Sequence, residues 1–410
     1  MVKAPASKPR IWTTTIVVAL LMYVPVANSQ TRRSSNATGT TPQTTPAADA
    51  QFDQLVKQAD EAREAERLDD AIRLYGQALK TRPKWPDGWW YIGAMLYEKD
   101  SYAEAKDAFQ NVVALEPKRA MAWGMLGLCQ FQTKDYEQSV RSMQRARLLG
   151  MTENREIESV VRYHTGLLYI RFEQFEIAFT ILSEFVRVGN ESPKVVEAFG
   201  LTLLRMPFLP SEIPADKREE VILAGQAGFN MAARRLDQAR AAFDTLLARY
   251  PNEPNVHYAY GVYLLNQDSD KAMQEFKREL EISPQHYPSI VQMAFEYFKR
   301  GQFDEALPLA EKGVQLAPKM FAARNVFGRT LLELGQVDKA IVQLEEGVRL
   351  APESPEMHFA LARAYTRAGR KDDAAKEREI FKGLQDKFSQ ERDAQKPGTE
   401  PGTAQETPKP

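Results

Sequence analysis

The chain has 410 residues, a formal net charge of −1 and 43% hydrophobic residues, which suits a folded protein with an extended core. Proteins that bind nucleic acid or an anionic membrane surface usually carry a basic excess, so this balance argues against both kinds of partner. The single cysteine, Cys129, excludes an internal disulfide and is predicted to be a small apolar filler between helices.

The first 29 residues have the features of a secretion signal in the required order. Three basic residues precede an apolar run over residues 11–27, and Ala27 and Ser29 form a small-x-small cleavage pattern. The run is shorter than the ~20 residues that span a bilayer. We therefore expect residues 1–29 to be removed and the protein to be periplasmic or secreted, with an inner-membrane anchor over residues 11–27 as the alternative.

Low-complexity segments flank the rest of the chain. Residues 30–50 are rich in Thr, Ser, Ala and Pro and are predicted to form a disordered linker. Residues 387–410 are predicted to form a short helical extension and a disordered tail.

Between these segments the sequence repeats every thirty-four residues. Pro83 and Pro117 are one period apart, as are Pro284, Pro318 and Pro352. Each proline ends a helical pattern that it cannot continue. A fixed period of this length is typical of stacked helix pairs, each of which needs its neighbours to bury its apolar face.

The clearest unit covers residues 86–119. Its first helix has an apolar stripe that includes Trp89 and Gly93, and its second helix has a stripe that includes Ala105 and Phe109. Trp123, one period after Trp89, is assigned to the same packing stripe. The small residues are expected where two helices cross closely.

This arrangement resembles the tetratricopeptide repeat family, whose pattern is a large residue, a small one four later, then alanine, aromatic, alanine and proline. The resemblance covers roughly residues 52–384. It implies an all-α fold, an α-solenoid of about nine helix-turn-helix repeats that form a right-handed superhelix.

A Pro-rich segment interrupts the period at residues 206–216. Pro207, Pro210 and Pro214 forbid a second helix in phase. The segment is predicted to separate an N-terminal block, 51–205, of about four repeats plus an extra helix, from a C-terminal block, 217–386, of about five repeats. It is either a passive loop, or a hinge or a segment that folds over the groove.

In the resembling family, the groove is lined mainly by first-helix residues that lie between the packing positions. The resemblance implies that these residues bind a protein or peptide partner, with apolar and aromatic groups in the first half and more basic groups near the end. The corresponding positions in this chain are Trp90, Tyr97, Met121, Leu128, Phe131, Tyr163, Leu167, Ile170, Asn325, Arg329, Arg363 and Arg367.

No motif indicates catalysis. The four histidines are scattered without metal-ligand spacing, and there is no phosphate-binding glycine loop and no Gly-x-Ser-x-Gly elbow. We expect no catalytic residues, no metal and no cofactor. The sequence favours a non-enzymatic protein-interaction scaffold of the periplasm or cell envelope. The alternatives are an enzyme or enzyme subunit with a groove site that lacks a motif, and a purely architectural spacer.

Overall fold

The computed structural model describes residues 46–151 and 154–394. Every regular element in these residues is helical, with nineteen α-helices and one short 3-10 turn. They belong to two compact units, unit 1 (Met1–Ala242) and unit 2 (Phe243–Pro410). The predicted signal, most of the predicted linker and the end of the predicted tail lie outside the described residues.

Unit 1 consists of helices joined by short turns into successive pairs. They are α1 (Pro46–Glu64), α2 (Leu68–Thr81), α3 (Pro86–Glu98), α4 (Tyr102–Leu115), α5 (Ala120–Gln132), α6 (Tyr136–Leu149), α7 (Arg155–Arg171), α8 (Phe175–Arg187), α9 (Pro193–Leu203) and α10 (Arg218–Ala232), followed by α11 (Leu236–Arg249), which crosses into unit 2.

Unit 2 continues the same pattern. Its helices are α12 (Val256–Leu264), α13 (Ser269–Ile282), α14 (Tyr287–Lys299), α15 (Phe303–Leu316), α16 (Phe321–Glu333), α17 (Val337–Leu350), α18 (Pro355–Arg367) and α19 (Lys371–Ala394).

The turn inside many pairs uses one left-handed residue. Gly301, Gly335 and Gly369 end the first helices of three pairs in unit 2 with φ of +72°, +78° and +75°. Glycine adopts this conformation freely, whereas other residues pay about 1 kcal/mol for it. The same turn in unit 1 is made by Glu66, Asp100 and Lys134.

Small residues allow the two helices of a pair to approach closely. A Cβ atom on Gly93 would lie 3.0 Å from the ring of Phe109, and one on Gly127 would lie 2.6 Å from the Met143 side chain. The predicted role of these glycines in close helix packing is confirmed.

A recurrent hydrogen bond joins each of several repeats to the one before it. A side chain six residues after the proline donates an N–H to the carbonyl oxygen of that proline, which the preceding helix leaves without an intrahelical partner. The donor–acceptor pairs, 2.9–3.0 Å apart, are Trp89–Pro83, Trp123–Pro117, His257–Pro251, Arg324–Pro318 and His358–Pro352. Trp89 and Trp123 pack against the core, as their assignment to the packing stripe predicts, but both are only half-buried.

The Pro-rich segment lies between two helices of the same compact unit. The helices on either side of it, α9 and α10, pack against each other within unit 1, and a Cβ on Gly200 would lie 1.8 Å from the backbone oxygen of Val221. The compact units divide after this segment and after α10, between Ala242 and Phe243. This boundary differs from the predicted division into 51–205 and 217–386. Glycines on α9 and α10 let two backbones meet across the interruption.

The two ends of the described helices compare differently with the predicted bounds. Helix α1 begins at Pro46, so the last residues of the predicted linker over 30–50 are helical. Helix α19 runs without a break to Ala394, so residues 387–394, part of the predicted helical extension, are the end of the last helix.

Candidate functional site

Unit 1 contains a cavity of about 350 Å³ between its first helices and the Pro-rich segment. Its apolar walls come from three consecutive first helices, with Tyr97 on α3, Phe131 on α5, and Tyr163 and Leu167 on α7. These four residues are among the predicted groove residues. The structure therefore brings together side chains that are more than thirty residues apart in the sequence.

The polar part of the lining lies beside α9. It includes Asn190 and Ser192 before that helix and Lys194 and Glu197 within it. Glu197 pairs with Arg218 at 2.9 Å. Burial raises the pKa of Glu197, and the charges of Arg218 and Lys194 oppose that shift. An apolar cavity with a few polar groups at one side is the usual form of a ligand site.

His164 is an uncharged member of the lining. Its Nδ1 donates to the carbonyl oxygen of Val160 at 2.8 Å, and its ring lies edge-on to Phe131 with the centroids 4.7 Å apart. Burial lowers the pKa of His164 to about 4. The imidazole is neutral at physiological pH, and its Nε2 is a hydrogen-bond acceptor.

The Pro-rich segment closes the cavity with Leu209, Pro210 and Ser211. One arginine fixes it: Arg171, at the end of α7, pairs with Glu212 at 2.7 Å. The same guanidinium donates to the carbonyl oxygen of Pro207 at 3.3 Å. The segment was predicted to be a passive loop, a hinge or a segment that folds over the groove. Its position at the cavity fits the last of these roles.

Other predicted groove residues of unit 1 are in the core instead. Trp90, Met121, Leu128 and Ile170 are almost fully buried. Trp90 is enclosed by Phe109, edge-on at 5.4 Å, and by the guanidinium of Arg119, 4.5 Å from the indole ring. These four side chains therefore do not form an accessible groove surface, and Trp90 is covered from within its own repeat, since Phe109 lies on α4.

The four predicted residues of unit 2 lie on α16 and α18. Asn325 is buried, whereas Arg329, Arg363 and Arg367 are accessible to solvent around Glu333. The cavity in unit 1 also includes residues that the sequence analysis missed, above all His164 and Leu209. His164 could have been found from the sequence because it is adjacent to the predicted Tyr163. Leu209 could not, because it lies in an irregular segment that has no helical period.

Nothing in the described residues indicates metal or thiol chemistry. Within 46–151 and 154–394, no group of three or more metal-binding side chains is placed to hold an ion. Cys129 is buried, and burial raises the pKa of its thiol, as expected for a packing residue. In the same part of the chain, no helix has both the length and the hydropathy to cross a membrane.

Similarity to curated proteins is confined to part of the chain. A BBSome complex member BBS4 homolog of Drosophila melanogaster is 23% identical over 143 residues, which cover 35% of this chain and 28% of that protein. The general transcriptional corepressor trfA of Dictyostelium discoideum is 26% identical over 129 residues, 32% of this chain and 9% of that protein. The chain thus spans less than a third of the length of either relative.

Solved structures with related helical repeats include MamA and yeast Tom70. The MamA structure from AMB-1 is 23% identical and covers 38% of this chain and 94% of its own, with a TM-score of 0.34. The Tom70 structure is 15% identical and covers 82% of this chain and 85% of its own, also with a TM-score of 0.34.

Family models match both units. One tetratricopeptide repeat model matches residues 56–108, 96–150 and 231–287, and a second matches residues 297–358. Together these matches cover about half of the chain and agree with the thirty-four-residue period and the paired helices. The chain belongs to the tetratricopeptide repeat family.

Proposed function

We propose that this chain is a non-enzymatic protein-interaction scaffold whose unit 1 binds an extended segment of a partner protein. In this proposal, one large apolar side chain of the partner enters the cavity. The observation that carries the proposal is the convergence of aromatic groups from three consecutive repeats on one space of about 350 Å³, with the Pro-rich segment as a further wall. A volume of that size accommodates an aromatic side chain, and aromatic anchors contribute strongly to protein interfaces.

The state of the titratable groups supports binding over catalysis. A general base works best when its pKa is near the operating pH. The pKa of His164 is about 4 because the ring is buried, and its Nδ1 is held by a backbone carbonyl. A neutral imidazole in that setting suits recognition of a hydrogen-bond donor.

Selection of peptides by the full chain tests this function. From a displayed library of random peptides, we expect enrichment of sequences with a large apolar residue. Binding of one such synthetic peptide should weaken about thirtyfold in Tyr163→Ala, as for the loss of an aromatic contact worth about 2 kcal/mol. Ser211→Trp, which would fill the cavity, should weaken it at least as much.

Leu148→Ala is the matched control, since Leu148 is a large apolar residue of unit 1 that is 82% exposed and outside the cavity. Its affinity for the peptide should equal that of the unchanged protein. An absence of enriched sequences, or equal binding by all three variants, would favour an architectural spacer instead.

We also propose that the scaffold acts in the periplasm or cell envelope. The proposal rests on the order of features in residues 1–29, which lie outside the described residues. Amino-terminal sequencing of the protein purified from its native cells tests it. A new terminus at Gln30 is the expected result, and an intact start would favour the membrane anchor.

A further inference from the structure

Unit 2 concentrates arginines on the first helices of two neighbouring repeats. Arg329 and Glu333 are four residues apart on α16, and Arg363 and Arg367 are four residues apart on α18, so each pair lies on one helix face. Arg363 and Arg367 also follow Arg329 and Glu333 by one period. The repeat therefore places all four side chains in one cluster, called here the arginine cluster.

Glu333 is held by two of these arginines. Arg363 Nη2 lies 2.8 Å from Glu333 Oε1, and Arg367 Nη2 lies 2.8 Å from Glu333 Oε2. Burial favours a higher pKa for Glu333, but hydrogen bonds from Arg367 and Arg363 outweigh it and lower the pKa below its ordinary value. A charged carboxylate thus sits between two guanidinium groups, a geometry that arginine is well suited to provide.

The third arginine has no such partner. Within the described ranges, no carboxylate lies within ion-pair distance of Arg329, whose guanidinium stacks over the Phe298 ring at 4.4 Å from the centroid. Burial lowers the pKa of Arg329, the charge of Arg363 adds to that shift, and the charge of Glu333 opposes it without cancelling it. A partly buried cation next to another cation is electrostatically unfavourable, and an incoming anion would relieve that repulsion.

The charges of the cluster do not balance. Three guanidinium groups face one carboxylate, and Arg363 and Arg367 remain 38% and 40% exposed. The excess of two positive charges matches a pair of carboxylates. The Glu333 carboxylate already binds between two guanidinium groups of this cluster. A carboxylate of a partner protein could therefore be bound by the same groups.

We propose that Arg329, Arg363 and Arg367 bind an acidic segment of a partner protein, with adjacent Asp or Glu side chains, and that Glu333 competes with it from within the chain. The inference rests on the proposed role as a protein-binding scaffold, but it concerns unit 2 alone. In this proposal, the Glu333 carboxylate occupies Arg363 and Arg367 and thereby lowers the affinity of the cluster for the carboxylates of the partner.

The test uses the full chain and a labelled peptide of glycine and paired glutamates, acetylated and amidated at its ends. Fluorescence anisotropy at low ionic strength should show binding that salt weakens, and no binding of the peptide with glutamine in place of glutamate. Arg329→Gln should weaken binding about tenfold, as for loss of a charged hydrogen bond. Glu333→Gln should tighten it several-fold, because two guanidinium groups are released.

Arg278→Gln is the matched control. Arg278 lies on α13 of the same unit, is exposed and pairs only with Glu281 at 2.7 Å among the described residues. The substitution removes the same charge, and the affinity should not change. Circular dichroism would show whether each variant is folded, and the comparison of Glu333→Gln with Arg278→Gln decides the outcome even if Arg329→Gln is unstable.

Three results would overturn the inference. Weaker or unchanged binding in Glu333→Gln would mean that the ion pairs only stabilise the repeat. Equal losses in Arg278→Gln and Arg329→Gln would mean that the peptide responds to net charge alone. Binding only of a peptide with a free terminal carboxylate and no acidic side chains would mean that the occupant is a chain end. Since the probe contains no large apolar residue, failure here leaves the proposal for unit 1 intact.

Discussion

Replacement of Trp90 by alanine is expected to lower the free energy of unfolding by about 3–5 kcal/mol, as for truncation of a fully buried large aromatic residue. The indole is 0% exposed and packs edge-on against Phe109, with the Arg119 guanidinium on its ring. Its removal would leave a cavity inside unit 1 and take away one contact of the Arg119 guanidinium, which also pairs with Asp87 and Glu116. A urea titration followed by circular dichroism measures the change.

The neighbouring Trp89 supplies the control. It is half-buried and donates its indole N–H to the Pro83 carbonyl oxygen at 2.9 Å. Trp89→Ala should therefore cost only about 1–2 kcal/mol, mostly from the lost hydrogen bond and part of the packing. A larger cost for Trp89→Ala than for Trp90→Ala would contradict the burial pattern of α3.

The second large effect is expected from Gly200→Ala. A Cβ atom at this position would lie 1.8 Å from the backbone oxygen of Val221 on α10, and backbone cannot move aside as a flexible side chain can. The helices α9 and α10 would have to separate. We expect a loss of about 3 kcal/mol, at the upper end of the range for overpacking.

Two comparisons make this result interpretable. Gly225→Ala should behave in the same way, because its Cβ would lie 2.1 Å from the backbone oxygen of Val196. Gly76→Ala introduces the same methyl group into α2, where the new Cβ would meet no atom within 4 Å beyond its chain neighbours and the backbone of its own helix. It should stabilise the helix by about 0.5–1 kcal/mol. If Gly200→Ala is as stable as the unchanged protein, α9 and α10 do not pack as closely as described.

The two neighbouring tryptophans differ in burial from what the sequence predicts: Trp90 is fully buried and Trp89 is half-buried. Trp90 was placed in the groove and Trp89 in the packing stripe, although adjacent residues on a helix point about 100° apart. Helix α3 has aromatic residues on more than one face. The period of its apolar residues therefore does not determine which of the two tryptophans is fully buried. Packing of Phe109 from α4 settles the question, and that contact exists only in the folded repeat.

The sequence by itself determined the all-helical repeat fold, the helix pairs and the close-packing glycines such as Gly93. The thirty-four-residue period is visible in the sequence because every repeat contains the same pattern of apolar and small residues. The resemblance to the tetratricopeptide repeat family implied groove positions for Tyr97, Phe131, Tyr163 and Leu167, and these residues line the cavity.

Only the tertiary structure decided the path of residues 206–216, which have no helical period because their prolines prevent one. The fold places Leu209 and Ser211 in the wall of the cavity and packs α9 against α10. The two compact units divide between Ala242 and Phe243. Repeats specify which faces are apolar. Which part of an apolar face stays accessible depends on the neighbour that covers it, and that is a property of the assembled fold.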